Sequence, residues 1–166
     1  MAEYDVNIIR SRYSIVPRTL VFIQRDEKIL FLRKENKSSY GFGKLNGLGG
    51  HIEKGEEPFE AAEREIYEEA QIEISNMELA AILTIDINTN PGIMVFVFRA
   101  VYESGEPRKS NEGELIWLSR EDISKESTLV KDVPYLVNLC DSYQTGTPPK
   151  MVKYLYNDIG GLRIAI

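Results

Sequence analysis

Apolar runs separated by short polar breaks fill most of the chain. "TLVFIQ", Thr19 to Gln24, is apolar and β-branched; "RDEK" interrupts it and "ILFLRK" resumes it, which predicts two strands joined by a turn. "ENKSSYGFGK" is polar and glycine-containing, hence a loop. "ELAAILTIDI" and "GIMVFVFRAVYE" read as two long strands, the second of them central in a sheet. "ELIWLS" is a further strand, "REDISK" a turn, and Val133 to Tyr143 an amphipathic helix. "MVKYLYNDIGGLRIAI" closes the chain as a hairpin turning at Asn157 to Gly161. Residues 1–17 form an N-terminal extension in which "DVNIIRSRYSIV" has the look of an extra strand.

One segment has the helical period. Pro58 suits a first helical position, where its missing N–H is not needed. "FEAAEREIYEEA" follows, rich in helix formers. At about 100° per residue, Phe59, Ala62, Ile66 and Ala70 share one apolar arc that should pack on a sheet. Strands outnumber helices, and the helices are expected to cover the faces of a mixed sheet. The fold class is therefore α+β, arranged as an α/β/α sandwich.

Composition narrows the function. The chain has 166 residues, which suits one domain spanning 1–166 with a single sizeable core. Its net charge of -6 offers no broad basic surface for nucleic acid or an anionic membrane. The single cysteine, Cys140, excludes an internal disulfide and a cysteine zinc site; it fits a packing role in a cytoplasmic protein. No N-terminal run has signal-peptide length, and no segment could span a bilayer.

The candidate chemistry lies on the acidic helix. Glu65, Glu68 and Glu69 sit at i, i+3 and i+4, neighbours on one face. Like charges so placed repel by roughly 0.2–0.5 kcal/mol per exposed pair. A divalent cation reverses that sign, and hard oxygen ligands suit Mg²⁺ or Mn²⁺. Ala61, one turn before Glu65, leaves the approach unblocked, and Arg64, one turn before Glu68, could hold a carboxylate in place. Just upstream, Gly49 and Gly50 can adopt backbone angles closed to other residues and let a ligand approach the main chain. Alone, an E-x-x-E-E face is an ordinary solvated surface and a glycine pair an ordinary turn.

Their joint spacing resembles the Nudix box, G-x5-E-x7-R-E-U-x-E-E-x-G-U with U aliphatic. Gly50 opens it, Glu56 follows after five residues, Arg64-Glu65-Ile66 after seven more, then Glu68-Glu69 and Ile72. One position departs, Gln71 standing where the family has a second glycine. The resemblance implies a Nudix-type α/β/α sandwich and cleavage of a nucleoside diphosphate linked to another moiety, with Mg²⁺ or Mn²⁺. It implies Glu65, Glu68 and Glu69 as metal ligands, one of them also orienting or deprotonating the attacking water. The carbonyl of Gly49 or Gly50 would be a further ligand, and Glu56 with Arg64 an ion pair bracing loop against helix. His51, the only histidine, follows the glycine pair where related enzymes often carry a lysine or histidine facing phosphate; it has either that role or a structural one.

A finer resemblance concerns substrate. "GKLNGLGGHIEKGE" is similar to the corresponding segment of the oxidised-purine nucleoside triphosphatases, the 8-oxo-dGTP diphosphatase group. It implies that Asn46 contacts the purine, that Tyr40 stacks, that Glu112 is a downstream acid near the metal, and that Asp132 reads the base edge. Asp132 could equally cap the helix beginning near Val133. Leu45 and Val130 depart from that group's aromatic residues. The expected partner is a small nucleotide, with no stable nucleic acid or membrane partner, and the protein a monomer or homodimer. Rival readings are a hydrolase of ADP-ribose, a dinucleoside polyphosphate or capped RNA, and a non-catalytic sensor, which would be expected to lose box acids that this chain keeps.

Overall fold

β1 (Ile15–Arg25) and β2 (Lys28–Lys34) fold back on each other with Arg25 opposite Lys28. Asp26 takes the left-handed position of the turn at φ 53°, which a short polar side chain tolerates. This computed structural model describes residues 12–36, 41–86, 90–109, 111–156 and 162–165. Tyr40, most of the N-terminal extension and the turn expected at Asn157 to Gly161 lie outside them.

The remaining strands are β3 (Leu45–Asn46), β4 (Glu73–Asp86), β5 (Gly92–Ser104), β6 (Gly113–Ser119), β7 (Lys150–Tyr156) and β8 (Leu162–Ala165). They make one sheet of eight strands, ordered β3-β2-β1-β5-β4-β7-β8, with β6 pairing along β2. β1 with β5 and β4 with β7 are parallel; the other pairs are antiparallel. β5 is therefore central, as its long apolar run suggested. β1 begins at Ile15, earlier than the apolar run starting at Thr19, because its parallel pairing with β5 extends back to Ile15 opposite Gly92.

Among the described residues three helices cover the sheet: α1 (Pro58–Ala70), α2 (Arg120–Lys125) and α3 (Val133–Ser142). α1 lays Ala62, Ile66 and Ala70 on Val21, Ile23, Leu48 and Phe98. Burying Ile66 alone contributes on the order of 2 kcal/mol. Phe59, at the rim of that arc, is 38% exposed but packs edge-on against Phe98 at 4.8 Å between ring centroids. On the other face, Val133, Leu136, Val137 and Cys140 of α3 join Leu20, Phe22, Val97 and Leu83. The result is the expected α/β/α sandwich. "REDISK" is a correction: it forms α2 rather than a turn. Ser119 accepts from the Asp122 N–H while Asp122 accepts from the Ser119 N–H, a reciprocal cap that stabilises even this short helix.

Candidate active site

The glycine pair is bound to the sheet as an irregular strip running antiparallel to β1. Leu48 exchanges hydrogen bonds with Val21 (2.7 and 3.1 Å), Thr19 N–H donates to the Gly50 carbonyl (2.9 Å), and Ile52 N–H donates to the Pro17 carbonyl (3.2 Å). Gly49 has φ 135°, and a Cβ there would overlap the Thr19 carbonyl. A Cβ at Gly50 would overlap the Glu65 carboxylate. Gly49 thus requires glycine, for its backbone angle and for the Thr19 main chain against it, whereas a side chain at Gly50 would have to displace the Glu65 carboxylate. Among the described residues no donor is bonded to the Gly49 carbonyl, whereas that of Gly50 is used by Thr19.

α1 starts at Pro58, with Glu57 N–H donating to the Glu60 carboxylate (3.0 Å). It ends at Gln71, which adopts the left-handed conformation (φ 54°, ψ 40°) and donates its N–H to the Tyr67 carbonyl. A non-glycine residue therefore occupies the geometry the family usually gives to glycine.

The three acids differ sharply in environment. Glu69 is 3% exposed and accepts from the Gly49 N–H at 2.8 Å. Burial pushes its carboxyl up to about 8, against the lowering by the Gly49 N–H and Lys34 and with further raising by Glu65 and Glu112. The side chains of Glu65 and Glu68 are 15% and 58% exposed. Arg64 holds both: Nη1 reaches Glu65 at 2.9 Å and Glu68 at 3.3 Å. The same guanidinium takes Glu56 in a two-point grip, Nε at 2.6 Å and Nη2 at 3.1 Å, and Nη2 also donates to the His51 carbonyl at 3.0 Å. Its bond to Arg64 holds the Glu56 carboxyl below the usual carboxylate range. Arg64 is thus a junction between loop and helix, beyond the single carboxylate its spacing suggested.

In this arrangement no three His, Cys, Asp or Glu side chains among the described residues converge as a metal cage. Arg64 draws Glu65 and Glu68 together while Glu69 turns to Gly49. The donor set nonetheless fits a hard divalent cation. A buried carboxylate with one N–H partner, beside further carboxylates and an unbonded carbonyl, is short of positive charge. Ala61, one turn before Glu65 in α1, is fully buried.

The outlying candidates fall as follows. Asn46 is partly buried; its Oδ1 accepts from the Gly47 N–H at 2.9 Å, which leaves its NH₂ to donate. Leu45 bonds Thr128 and Val130 through its main chain, and this brings the strip leading to Asp132 beside Asn46. Asp132 stands at the N-cap of α3 but makes no side-chain cap bond; burial raises its carboxyl, opposed by its own main chain and by the nearby Tyr154 side chain. Glu112 is exposed, yet near enough to add to the cost of charging Glu69. His51 is exposed, and its Nε2 lies 2.9 Å from Nη2 of Arg18, a residue sequence reasoning passed over. A cavity of about 650 Å³ elsewhere, between β4, β5 and the end of α3, contains none of these residues; its Arg99 is already bound to Glu78 and to α3's last carbonyls. Among the described residues no helix is long and apolar enough to cross a membrane.

The NUDIX domain family matches residues 15–139. An oxidized purine nucleoside triphosphate hydrolase of Mus musculus is 28% identical over 106 residues, covering 63% of this chain and 67% of that protein. A protein of the same description from Danio rerio is 29% identical over 116 residues, covering 69% and 73%. The crystal structure of a MutT protein from Bacillus halodurans superposes with a TM-score of 0.69 at 22% identity, covering 90% of this chain and 97% of that one. With the family matched across β1 to α3, glycine strip and acidic helix included, the chain belongs to the Nudix family of hydrolases.

Proposed function

We propose that the chain hydrolyses a phosphoanhydride bond of a nucleoside triphosphate or related nucleoside diphosphate derivative, with Mg²⁺ or Mn²⁺ as cofactor. An oxidised purine nucleotide such as 8-oxo-dGTP is the leading substrate. The observation that carries the reading is the closure of α1 on the glycine strip. It buries Glu69 at hydrogen-bond distance from Gly49 and lays the Glu65 carboxylate against Gly50. The two relatives described as oxidized purine nucleoside triphosphate hydrolases support the substrate class.

Glu65, Glu68, Glu69 and the Gly49 carbonyl would hold the metal, with Glu112 as a further acid beside them. A bound divalent ion supplies charge neutralisation on the phosphoryl oxygens and a more acidic water. One of the three helix glutamates orients or deprotonates that water. Arg64 fixes the carboxylates relative to the loop, and Glu56 fixes Arg64 from the far side. Asn46, Asp132, His51 and Tyr40 are the proposed substrate contacts. Cys140, buried in the α3-side core, supports a reducing, cytoplasmic setting.

The test is kcat/KM on a panel: oxidised and normal purine triphosphates, ADP-ribose and dinucleoside polyphosphates, each with Mg²⁺ and with chelator. Metal-dependent turnover highest on an oxidised purine triphosphate is expected. Preference for ADP-ribose would overturn the substrate class and leave the chemistry. Failure on every member would point to a binding domain instead.

A further inference from the structure

From the surroundings of Arg18 we infer that it is a specificity-determining residue of the base pocket, donating to the carbonyl at C6 of a 6-oxo purine. The inference rests on the reading above that the site takes a purine nucleotide.

The strip along β1 sets which way Arg18 points. Thr19 and Val21 lie opposite Gly50 and Leu48, and this row faces α1: Val21 and Leu48 pack in its core and Gly50 touches Glu65. Side chains alternate along a strand, so Arg18 and its bridge partner His51 stand on the opposite face, with Leu20 and Phe22 of the α3-side core. Across the sheet Arg18 is level with Val95 of β5, which is level with Leu83 of β4 and Val152 of β7. The next row holds Ile93, Ile85 and Tyr154. Val95 and Ile85 are only partly buried, so this end of the sheet is an apolar platform that α3 does not cover completely. Tyr154, at the far end, lies near enough to Asp132 to favour its charged form. An arginine and an acid therefore flank an apolar floor, on the face opposite the metal-binding helix. That suits the flat ring of a base more than its phosphates.

Arg18 is also set up as a donor. It is half-buried and, among the described residues, has no carboxylate within ion-pair distance. Its Nε is shielded from water with no acceptor. A guanidinium can only donate, so in this contact His51 Nε2 is the acceptor for Arg18 Nη2. His51 is in turn held by Arg64 through its carbonyl. The metal-site arginine thus fixes the residue that aims Arg18. A half-buried cation short of acceptors favours a ligand carbonyl, and it disfavours the amino group that adenine carries at the same position. Guanine and its 8-oxo form share that carbonyl.

The experiment measures kcat/KM for dGTP and 8-oxo-dGTP against dATP in wild type, Arg18→Gln and His51→Ala. It is joined by Kd for GMP and AMP, followed by NMR in metal-free protein, and by inhibition by inorganic tripolyphosphate. Wild type is expected to prefer the 6-oxo bases. Arg18→Gln should reduce that preference on the order of tenfold, in turnover and in Kd alike, with tripolyphosphate inhibition unchanged. His51→Ala should move it the same way by less, as a positioning residue would. Equal losses on both bases with weaker tripolyphosphate inhibition would make Arg18 a phosphate contact and overturn the inference; an unmoved ratio would also overturn it. If Arg18→Gln does not fold, the wild-type ratio decides, and a preference for adenine overturns the assignment. Triphosphate hydrolysis with an unmoved ratio leaves the proposed function standing. Absence of hydrolysis, with monophosphate binding still governed by Arg18, removes the function and not the inference.

Discussion

Glu69→Gln should stabilise the metal-free fold and, with Mg²⁺ present, abolish most turnover. The carboxyl stands at about 8 in the folded chain against 4.5 for an exposed glutamate, because it is buried beside Glu65 and Glu112 with only the Gly49 N–H and Lys34 to favour its charge. Between those two values the folded state keeps a proton that the unfolded state has released. Stability therefore falls as pH rises from about 4.5 to about 8 and is level beyond. At about 1.36 kcal/mol per pH unit, the loss approaches about 3 kcal/mol by pH 7 and about 5 kcal/mol above pH 8. Glutamine keeps the acceptor for Gly49 and never ionises, so the variant lacks this slope. The assay is urea unfolding of both proteins with chelator present, from pH 5 to pH 9. The stability difference should widen in favour of glutamine across the range. Parallel profiles would show that the buried carboxylate is compensated in a way the structure does not contain. Added Mg²⁺ should reverse the wild-type trend, since binding the ionised carboxylate releases its proton, while the glutamine variant should gain little.

The other expectations are more compact. Glu68→Gln should keep its melting temperature, as befits a side chain 58% exposed, and lose most turnover; near wild-type kcat at saturating Mg²⁺ would remove it from the metal site. Arg64→Ala should lower Tm and kcat together, because Glu56, Glu65, Glu68 and the His51 carbonyl share that one guanidinium; an unchanged Tm would reduce it to a surface charge. Gln71→Gly should stabilise by about 0.5–1 kcal/mol, or roughly 2 °C in Tm, by relieving the left-handed angle at the end of α1; a fall in Tm would refute the strain argument. Asn46→Ala should raise KM for the purine substrate more than it lowers kcat, and equal effects on all nucleotides would show that Asn46 does not read the base.

What could be read from the chain beforehand was whatever has a local period. α1 was legible because Pro58 fixes its start and the 3.6-residue repeat of Ala62, Ile66 and Ala70 fixes its buried face. The acids followed from the same repeat. Ser119 and Asp122 were an equally local signal for α2, a capping pair three residues apart, and it was overlooked because the helix is too short to show a period.

The site beyond the helix depends on closures between distant segments, and those carry no periodic trace. Two glycines interrupt the alternation of Leu48 to His51, so nothing in that stretch announces that it lies along β1. Once it does, the pairing of Thr19 with Gly50 decides the rest. It places Gly50 against Glu65 on one face and, one residue on, sets His51 beside Arg18 on the other. A slip of one residue would exchange those faces, putting the imidazole against the helix acids and a bare glycine at the base platform. The hydrogen bonds of Pro17, Thr19 and Val21 to this strip hold the register. The same pairing that brings the acids to the main chain also sets His51 beside Arg18, 33 residues away in sequence, on the opposite side of the sheet.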